Sequence, residues 1–519
     1  MVVKYDALLV GGGHNGLTAA LRLQQAGLNV LVVEQKSTVG GASKTEYPFA
    51  LAPTQAASTG AYLLGLMPPE IPQRLGIAEK LFPLLSKREP HYFLPTRDHR
   101  HLLFGSNDEA TIAEITRFFS AADARAYCQM QTELAAIRDD IAPSWLVPPL
   151  PVEEIAQRCV RPILRQVFID LCRGSVFDYL SRFGFESELL KMMFAVTDGI
   201  SGLSGDIHKP GTGFNHLAHN MCRLPNSKGT WMRLQGGMGA VTEILETALL
   251  DAGGTIRTSV SVEKILVRDA TVQGLQLSDG TEVLADVVVV NADPFRMLTL
   301  LDEGEVEAAY RERIESYRTP GATLKLNLCL SARPEFTCLP GEFGQCNGTI
   351  HIIPDTEHPL ELLAQNFRDA EQGRLPKRPV IEWYLDENLR DKDGNFSSAL
   401  FVPAMPYALT GTTWEKEIDG YGDDLLAICD EFAPGTSARV VDRFPLTPPG
   451  LQKHFGITMG HIHHVPNTFA YKDRLPYRTP IWGLYCAGAG CHPGGSVTGA
   501  CGYISAGEVL IDLGKNYAI

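Results

Sequence analysis

The sequence predicts an α/β protein. One nucleotide-binding domain is assembled from three separated stretches, and a mixed α+β domain fills the gaps between them. Three observations carry that expectation. A glycine-rich strand–turn–helix–strand unit opens the chain at residues 8–35. Alternating strand and helix patterning returns near residue 230. It returns once more near residue 475 and ends in a glycine-rich turn and a last helix.

The opening unit reads in order. "YDALLV" is a short apolar strand, and Gly11, Gly13 and Gly16 follow at G-x-G-x-x-G spacing. "LTAALRLQQA" places Leu17, Ala20, Leu21 and Leu23 on one helical stripe. Gly27 stops that helix as the residue after its C-cap. "NVLVVE" is a second strand ending in Glu34, with Gln35 beside it. This is the roughly 30-residue unit that the dinucleotide fingerprint requires. Gly11 allows the tight turn, Gly13 lets backbone approach a pyrophosphate, and Gly16 lets helix and strand pack closely. The helix N-terminus presents unpaired N–H groups and a positive dipole end to the phosphates. Glu34 can accept the hydroxyls of a ribose. A second glycine turn, Gly40-Gly41, follows soon after the acid. It suits FAD better than NAD, because it brings more backbone against an extended cofactor.

In the middle stretch, "GGMGAVTEILETALLDAGG" reads as a glycine turn and a helix over about 240–252. "TIRTSVSV" reads as a strand. "EKILVR", "VQGLQL" and "TEVLADVVVV" read as a strand meander with turns at Asp269 and at "SDG". Near the C-terminus, "IWGLYCAGAGC" is a strand running into glycines. A helix starting near Val497 and stopped by Gly514 follows. The nucleotide domain is thus expected over 1–70, 230–300 and 475–519, and the substrate domain over 71–229 and 301–474. Residues 71–229 are mostly helical by pattern, and 301–474 mix strands and helices. "SWLVPPLPVEE" (144–154) is a proline-rich break, expected as a loop at a pocket mouth.

Composition bounds the function. The chain has 519 residues, 45% of them hydrophobic, and a formal charge of −14 without a basic run. Nucleic acid and electrostatic docking on anionic lipid are therefore not expected. No apolar stretch reaches the roughly 18 residues of a membrane span. The first strand begins so early that no signal peptide is read, and a cytoplasmic location is expected. Peripheral apolar contact with a membrane and a homo-oligomeric state are both compatible with the sequence. The eleven cysteines contain no C-x-x-C pair, which suits reduced thiols. On that reading Asn347-Gly-Thr and Asn395-Phe-Ser match the glycosylation pattern by chance.

"GGGHNGL", "VEQKSTVGGASKTE", "GGMGAVTEIL" and "CAGAGCHPGGSVTGACG" together resemble the FAD-dependent phytoene dehydrogenase, or carotenoid oxidoreductase, family. Within it they are most similar to the pyridine nucleotide-disulphide oxidoreductase domain-containing protein 2 subgroup. The resemblance is carried more weakly in the insertions by "PGTGFNHLAH" and "ITMGHIHH". It implies a discontinuous Rossmann-like FAD domain of the glutathione-reductase and amine-oxidase type. It also implies Gly11, Gly13, His14, Asn15 and Gly16 at the pyrophosphate and Glu34 at the adenosine ribose. Gly41, Ala42 and Ser43 would line the middle of the cofactor, and Val262 would meet the adenine. Gly490, Gly495, Ser496 and Val497 would sit by the flavin ring. There a helix N-terminus would stabilise the negative charge that reduction places on the N1/O2 edge.

The expected activity is oxidation or desaturation of an apolar, unsaturated or cyclic small molecule of isoprenoid type, by hydride transfer to flavin. No strong base is evident. His14, His463 and His492 are candidates by residue type alone. His461, His463 and His464 form H-x-H-H, which on a strand would put the first two on one face. Nothing completes a metal site, so none is expected. Cys491 and His492 are the residues placed for covalent flavin attachment, and non-covalent FAD is expected. Two alternatives stand beside this reading. One is a flavin amine oxidase, although no aromatic residue beside Gly495 suggests an aromatic cage. The other is a flavin-bound assembly or chaperone-like protein with little turnover. A second strand–glycine–helix unit with its own acid is missing, because "GGMGAVTEIL" follows the poor strand "TWMRLQ". NAD(P)H is therefore not expected as electron partner. Oxygen, a quinone or another organic acceptor is.

Overall fold

The computed structural model describes residues 4–105 and 107–515. Its nucleotide-side sheet is built from β1 (Lys4–Val10), β2 (Val30–Val33), β3 (Thr255–Arg257), β4 (Val262–Arg268), β5 (Thr271–Leu277), β6 (Glu282–Val290) and β7 (Leu484–Cys486). Three helices accompany it, α1 (His14–Gln25), α2 (Gly239–Asp251) and α3 (Ala500–Asp512). The strand order is β3–β2–β1–β6–β5–β4, and β7 pairs with β6 as well. β1 runs parallel to both β2 and β6, so that Leu8 lies opposite Leu31 and Val288. β4, β5 and the start of β6 form the antiparallel meander, and the end of β6 pairs in parallel with β7.

The strands "ALLV", "VLVV" and "VVVV" are apolar without alternation because both sheet faces are covered. On one face Leu17, Leu21, Val241, Leu245, Ala506 and Leu510 of the three helices form a core with Ala7, Leu9 and Val32. On the other face Leu8, Val288 and Ile265 pack with Phe295, Met297 and Tyr317. α1 and α3 cross so closely that a Cβ on Gly502 would enter the backbone of Asn15. The buried Arg22 guanidinium lies 3.8 Å over the Tyr503 ring at the same crossing.

Two elements differ from the sequence expectation. The strand read over "TIRTSVSV" ends at Arg257, because Ser259 adopts φ 60° and turns the chain. Ser259 and Val260 then donate to the carbonyls of Lys36 and Glu34. The last helix starts at Ala500 rather than near Val497. Ser496 at φ 110° and Gly499 at φ 68° hold the preceding residues in a turn.

The second sheet has seven strands. In spatial order they are Val440–Leu446, Leu324–Leu330, Phe396–Val402, Ile381–Arg390, Thr349–Ile352, Tyr92–Pro95 and His101–Phe104. All neighbours are antiparallel except Tyr92–Pro95 with Thr349–Ile352. A helical layer over residues 108–219 packs separately around Met130, Leu134, Phe168, Leu190 and Phe214. The short helices Glu70–Arg74 and Ala78–Leu81 bury Ile71, Leu75, Ile77 and Leu81 in the core beneath α1 and α2, so this part of 71–229 packs on the nucleotide side. The strand Met232–Leu234 in "TWMRLQ" pairs with Leu85–Lys87, outside the nucleotide-side sheet. Among the described residues no helix is long and apolar enough to cross a membrane.

Candidate active site

A cavity of about 880 Å³ runs between the two sheets. Its nucleotide wall begins at the β1–α1 turn. Gly11 takes φ 96°, and Gly13 bridges to Gly40 in the second glycine turn. A Cβ on Gly12 would enter Val39, and one on Gly16 would enter the Gly11 carbonyl and Asn291. Glycine here is a packing requirement between three chain segments. The side chain of Asn291 donates to the Gly11 carbonyl at 3.2 Å and ties β6 to the turn. α1 begins at N-cap Gly13 without a side-chain cap, so its first N–H groups are left for a ligand. The Asn15 amide is buried with neither polar atom paired, and His464 Nδ1 is also buried and unpaired. Both residues line the cavity. An uncapped helix end, glycine backbone and orphaned polar atoms together fit a dinucleotide.

Of the residues expected to hold the cofactor, Gly11, Gly13, His14, Asn15, Glu34, Gln35, Gly41, Ala42, Ser43, Val262, Ser496 and Val497 line this one cavity. Gly16, Gly490 and Gly495 stand one layer behind. A Cβ on Gly490 would meet Leu475 and Val465, and one on Gly495 would enter His463. The Glu34 carboxylate accepts the N–H of Gly12 at 2.8 Å and that of Lys36 at 2.9 Å.

The histidines separate. His14 and His463 line the cavity, and His492 does not. His492 stacks on Tyr471 at 4.7 Å and meets the edge of Trp145, so packing accounts for it. Cys491 likewise points away, toward the Pro476 carbonyl, which removes both residues from covalent attachment at the cavity. H-x-H-H is not a strand. It follows the short turn Thr458–Gly460, with His461 behind the wall and His463 and His464 on it. Burial lowers His14 to a pKa of about 4 and holds His463 well below its usual value, so both are neutral near pH 7. Residues 144–154 contribute nothing to the cavity wall, contrary to the expected loop at its mouth. Trp145 and Leu146 are buried in the core instead.

Sequence reasoning missed two groups. The first is the support of the C-terminal turn. Arg474 is fully buried and donates to the carbonyls of Val465, Pro466, Phe469, Ala489 and Cys491 and to Asn467 Oδ1. Asn467 Oδ1 also accepts the N–H of Gly495 at 3.1 Å. The sequence gives no signal for it, because Arg474 sits among the charges of Lys472, Asp473 and Arg478. The second is the wall from the second sheet and helical layer, which includes Tyr62, Tyr92, Asp198, Lys325, Glu382 and Tyr384. Tyr62 and Tyr384 have ring centroids 4.1 Å apart. Aromatic rings therefore do border the cavity, from segments far from Gly495. Lys325 Nζ donates to the carbonyls of Ser58 at 2.5 Å and Gly60 at 2.6 Å and lies 4.5 Å from the Tyr62 centroid. Burial lowers its pKa.

This fold and cavity define a flavin oxidoreductase of the amine-oxidase and carotenoid-oxidoreductase type. Residues 9–63 match the NAD(P)-binding Rossmann-like domain family, and residues 144–336 match the flavin containing amine oxidoreductase family. The chain is 32% identical to mouse (Mus musculus) pyridine nucleotide-disulfide oxidoreductase domain-containing protein 2, over 98% of its own length and 94% of that protein. It is 25% identical to hydroxyneurosporene desaturase of Cereibacter sphaeroides, over 98% and 97% of the two chains. In fold it resembles the crystal structure of an oxidoreductase from Methanosarcina mazei, with a TM-score of 0.61 at 18% identity, covering 98% and 100% of the chains. The chain belongs to the pyridine nucleotide-disulfide oxidoreductase domain-containing protein 2 family.

Proposed function

We propose that the protein binds FAD non-covalently and uses it to oxidise or desaturate an unsaturated, largely apolar small molecule. The observation that carries this reading is the continuity of the cavity. One space joins Glu34 and the α1 N-terminus to Tyr62, Tyr384 and Phe401, so a cofactor and a substrate fit end to end. The desaturase relative supports the reaction class. The second glycine turn, Gly40-Gly41, supports FAD over a shorter or different nucleotide. When bound, the flavin supplies a two-electron acceptor for a hydride.

The residues around it orient and exclude water. Ser496 and Val497 close the C-terminal side of the cavity, held by Arg474 through Asn467. His14, neutral by burial, can accept or donate one hydrogen bond without adding charge. Oxygen, a quinone or another organic acceptor then removes the electrons. The reading is tested by denaturing purified protein. A yellow supernatant that phosphodiesterase converts to FMN and AMP is expected. Colour retained by the precipitate, or a colourless protein that takes up no FAD, refutes it. Anaerobic bleaching of the flavin band by an unsaturated isoprenoid tests the reaction class.

A further inference from the structure

Where the second sheet meets the helical layer, the cavity wall is not that of a hydrocarbon tunnel. Glu382 on the strand Ile381–Arg390 and Asp198 in the turn Ala195–Gly199 both line it. Both residues are buried, at 3% and 8% exposure. Among the described residues neither forms an ion pair with lysine or arginine. The only charged-type neighbour within pairing distance is His216, 3.9 Å from Asp198, and burial holds that histidine neutral. Glu382 Oε2 accepts the Tyr384 hydroxyl at 3.1 Å, whereas Glu382 Oε1 is buried without a partner. Thr197, which also lines the cavity, turns its hydroxyl toward Glu382, but the contact is loose and leaves both Thr197 Oγ1 and Glu382 Oε1 without a well-formed hydrogen bond. Asp198 Oδ2 accepts only a long bond from Asn220, at 3.2 Å. Arg88 borders the group but directs Nε to the Trp231 carbonyl at 2.9 Å and Nη1 to Thr349 Oγ1 at 2.7 Å.

Orphaned acceptors are costly in an apolar core, and a cavity wall is where a ligand can satisfy them. A hydrocarbon would bury them further, and a carboxylate ligand would face two acids. A hydrogen-bond donor meets both needs. We propose that Glu382, with Thr197 and Asp198, forms a head-group subsite that binds a hydroxyl or amine at one end of an otherwise apolar substrate. The rings of Tyr62, Tyr92, Trp231 and Tyr384 line the same cavity and suit either head, as apolar flank for an alcohol or as π-faces for an ammonium. This inference rests on the oxidoreductase reading above and narrows its substrate class.

The test is calorimetric titration of the purified flavoprotein with four C10 isoprenoids: myrcene, geraniol, geranylamine and geranial. Geraniol or geranylamine is expected to bind at least about ten-fold more tightly than myrcene and geranial. Whichever of the two binds more tightly identifies the head. Glu382→Gln should cut that preference about ten-fold and leave myrcene unchanged. Thr197→Val, which leaves the strand intact, should cut it less. Equal binding of all four, tightest binding of geranial, or binding of none overturns the subsite. If myrcene bleaches the flavin with the affinity of geraniol, the subsite is wrong while the oxidoreductase reading stands. A protein that holds no FAD fails that reading instead.

Discussion

The carboxylate of Glu34 and the backbone N–H of Gly12 meet at 2.8 Å, across the gap between β2 and the first glycine turn. The acid at the end of β2 therefore shapes the turn as well as facing the cavity. Its second oxygen is held by the N–H of Lys36. One side chain thus fixes the relative position of two segments that a bound nucleotide has to touch.

Glu34→Ala is expected to weaken FAD binding by roughly 10- to 150-fold, since a hydrogen bond to a charged group contributes about 1.5–3 kcal/mol. Glu34→Gln keeps one acceptor for Gly12 and should lose less. Titration of the apoprotein with FAD, followed by flavin fluorescence, separates the two variants. Equal affinity in all three proteins would show that this carboxylate neither binds the cofactor nor shapes its turn.

Gly16→Ala should destabilise the protein by about 1–3 kcal/mol or more, because the added methyl enters the Gly11 carbonyl and the Asn291 amide. Chemical denaturation should show a lower midpoint with an unchanged slope. Gly27→Ala is the control for lost glycine flexibility alone, since a Cβ there meets nothing within 4 Å at φ 82°.

Asp198 gives stability an unusual pH dependence. Burial, reinforced by the charge of Glu382, raises its pKa from 3.8 to about 7. Between those values the folded protein holds a proton that the unfolded chain has released. The contribution of this group to stability therefore falls as pH rises from about 4 to 7, and it is level above that. The full difference corresponds to about 4 kcal/mol. Asp198→Asn removes it, so the variant should gain on the wild type across that window. Paired melts at pH 4.5, 6 and 8 check the sign, and a constant offset contradicts it.

The buried histidines act in the opposite direction. His14 and His219 are lowered to about 4 and His492 to about 3, chiefly by desolvation. Below pH 6.5 the unfolded chain gains protons that the folded one refuses, so stability is lost as pH falls toward 4. Each histidine contributes at most about 1.4 kcal/mol per pH unit there. His492→Gln should flatten the acid limb of a melting-temperature profile. Because His492 is off the cavity wall, flavin content should remain.

Anaerobic mixing of the oxidised flavoprotein with NADH or NADPH should leave the flavin band unchanged in a stopped-flow trace. The glycine turn that leads into α2 follows a strand outside the nucleotide-side sheet. Rapid bleaching at micromolar nucleotide would reverse the proposed direction of electron flow.

Most of the nucleotide side was legible in the sequence, because its signals are local. Gly11, Gly13, Gly16 and Glu34 lie within one βαβ unit, and each position has its own steric or hydrogen-bonding reason. The end of β3 and the start of α3 were misjudged, since both depend on positive φ at serines, Ser259 and Ser496, which pattern reading does not anticipate. The substrate wall was not legible. Tyr62, Asp198, Lys325 and Glu382 come from four distant segments, and each looks like an ordinary strand or loop residue until the second sheet brings them together. Arg474 was silent for the same reason, because all its partners but Asn467 are backbone carbonyls.

The order in which the nucleotide-side sheet is assembled also matters for synthesis. β1 finds β2 within a few dozen residues, but its other neighbour, β6, starts at Glu282, and β7 starts at Leu484. The Gly502 face that seals α1 arrives later still. A chain leaving the ribosome at about 5–20 residues per second therefore holds an unfinished sheet for roughly half a minute or more. During that time the β1 edge and the apolar face of α1 are exposed to mispairing. Pairings of such long sequence separation also close slowly. A truncation of only the last two dozen residues should leave an aggregation-prone chain rather than a weakened enzyme.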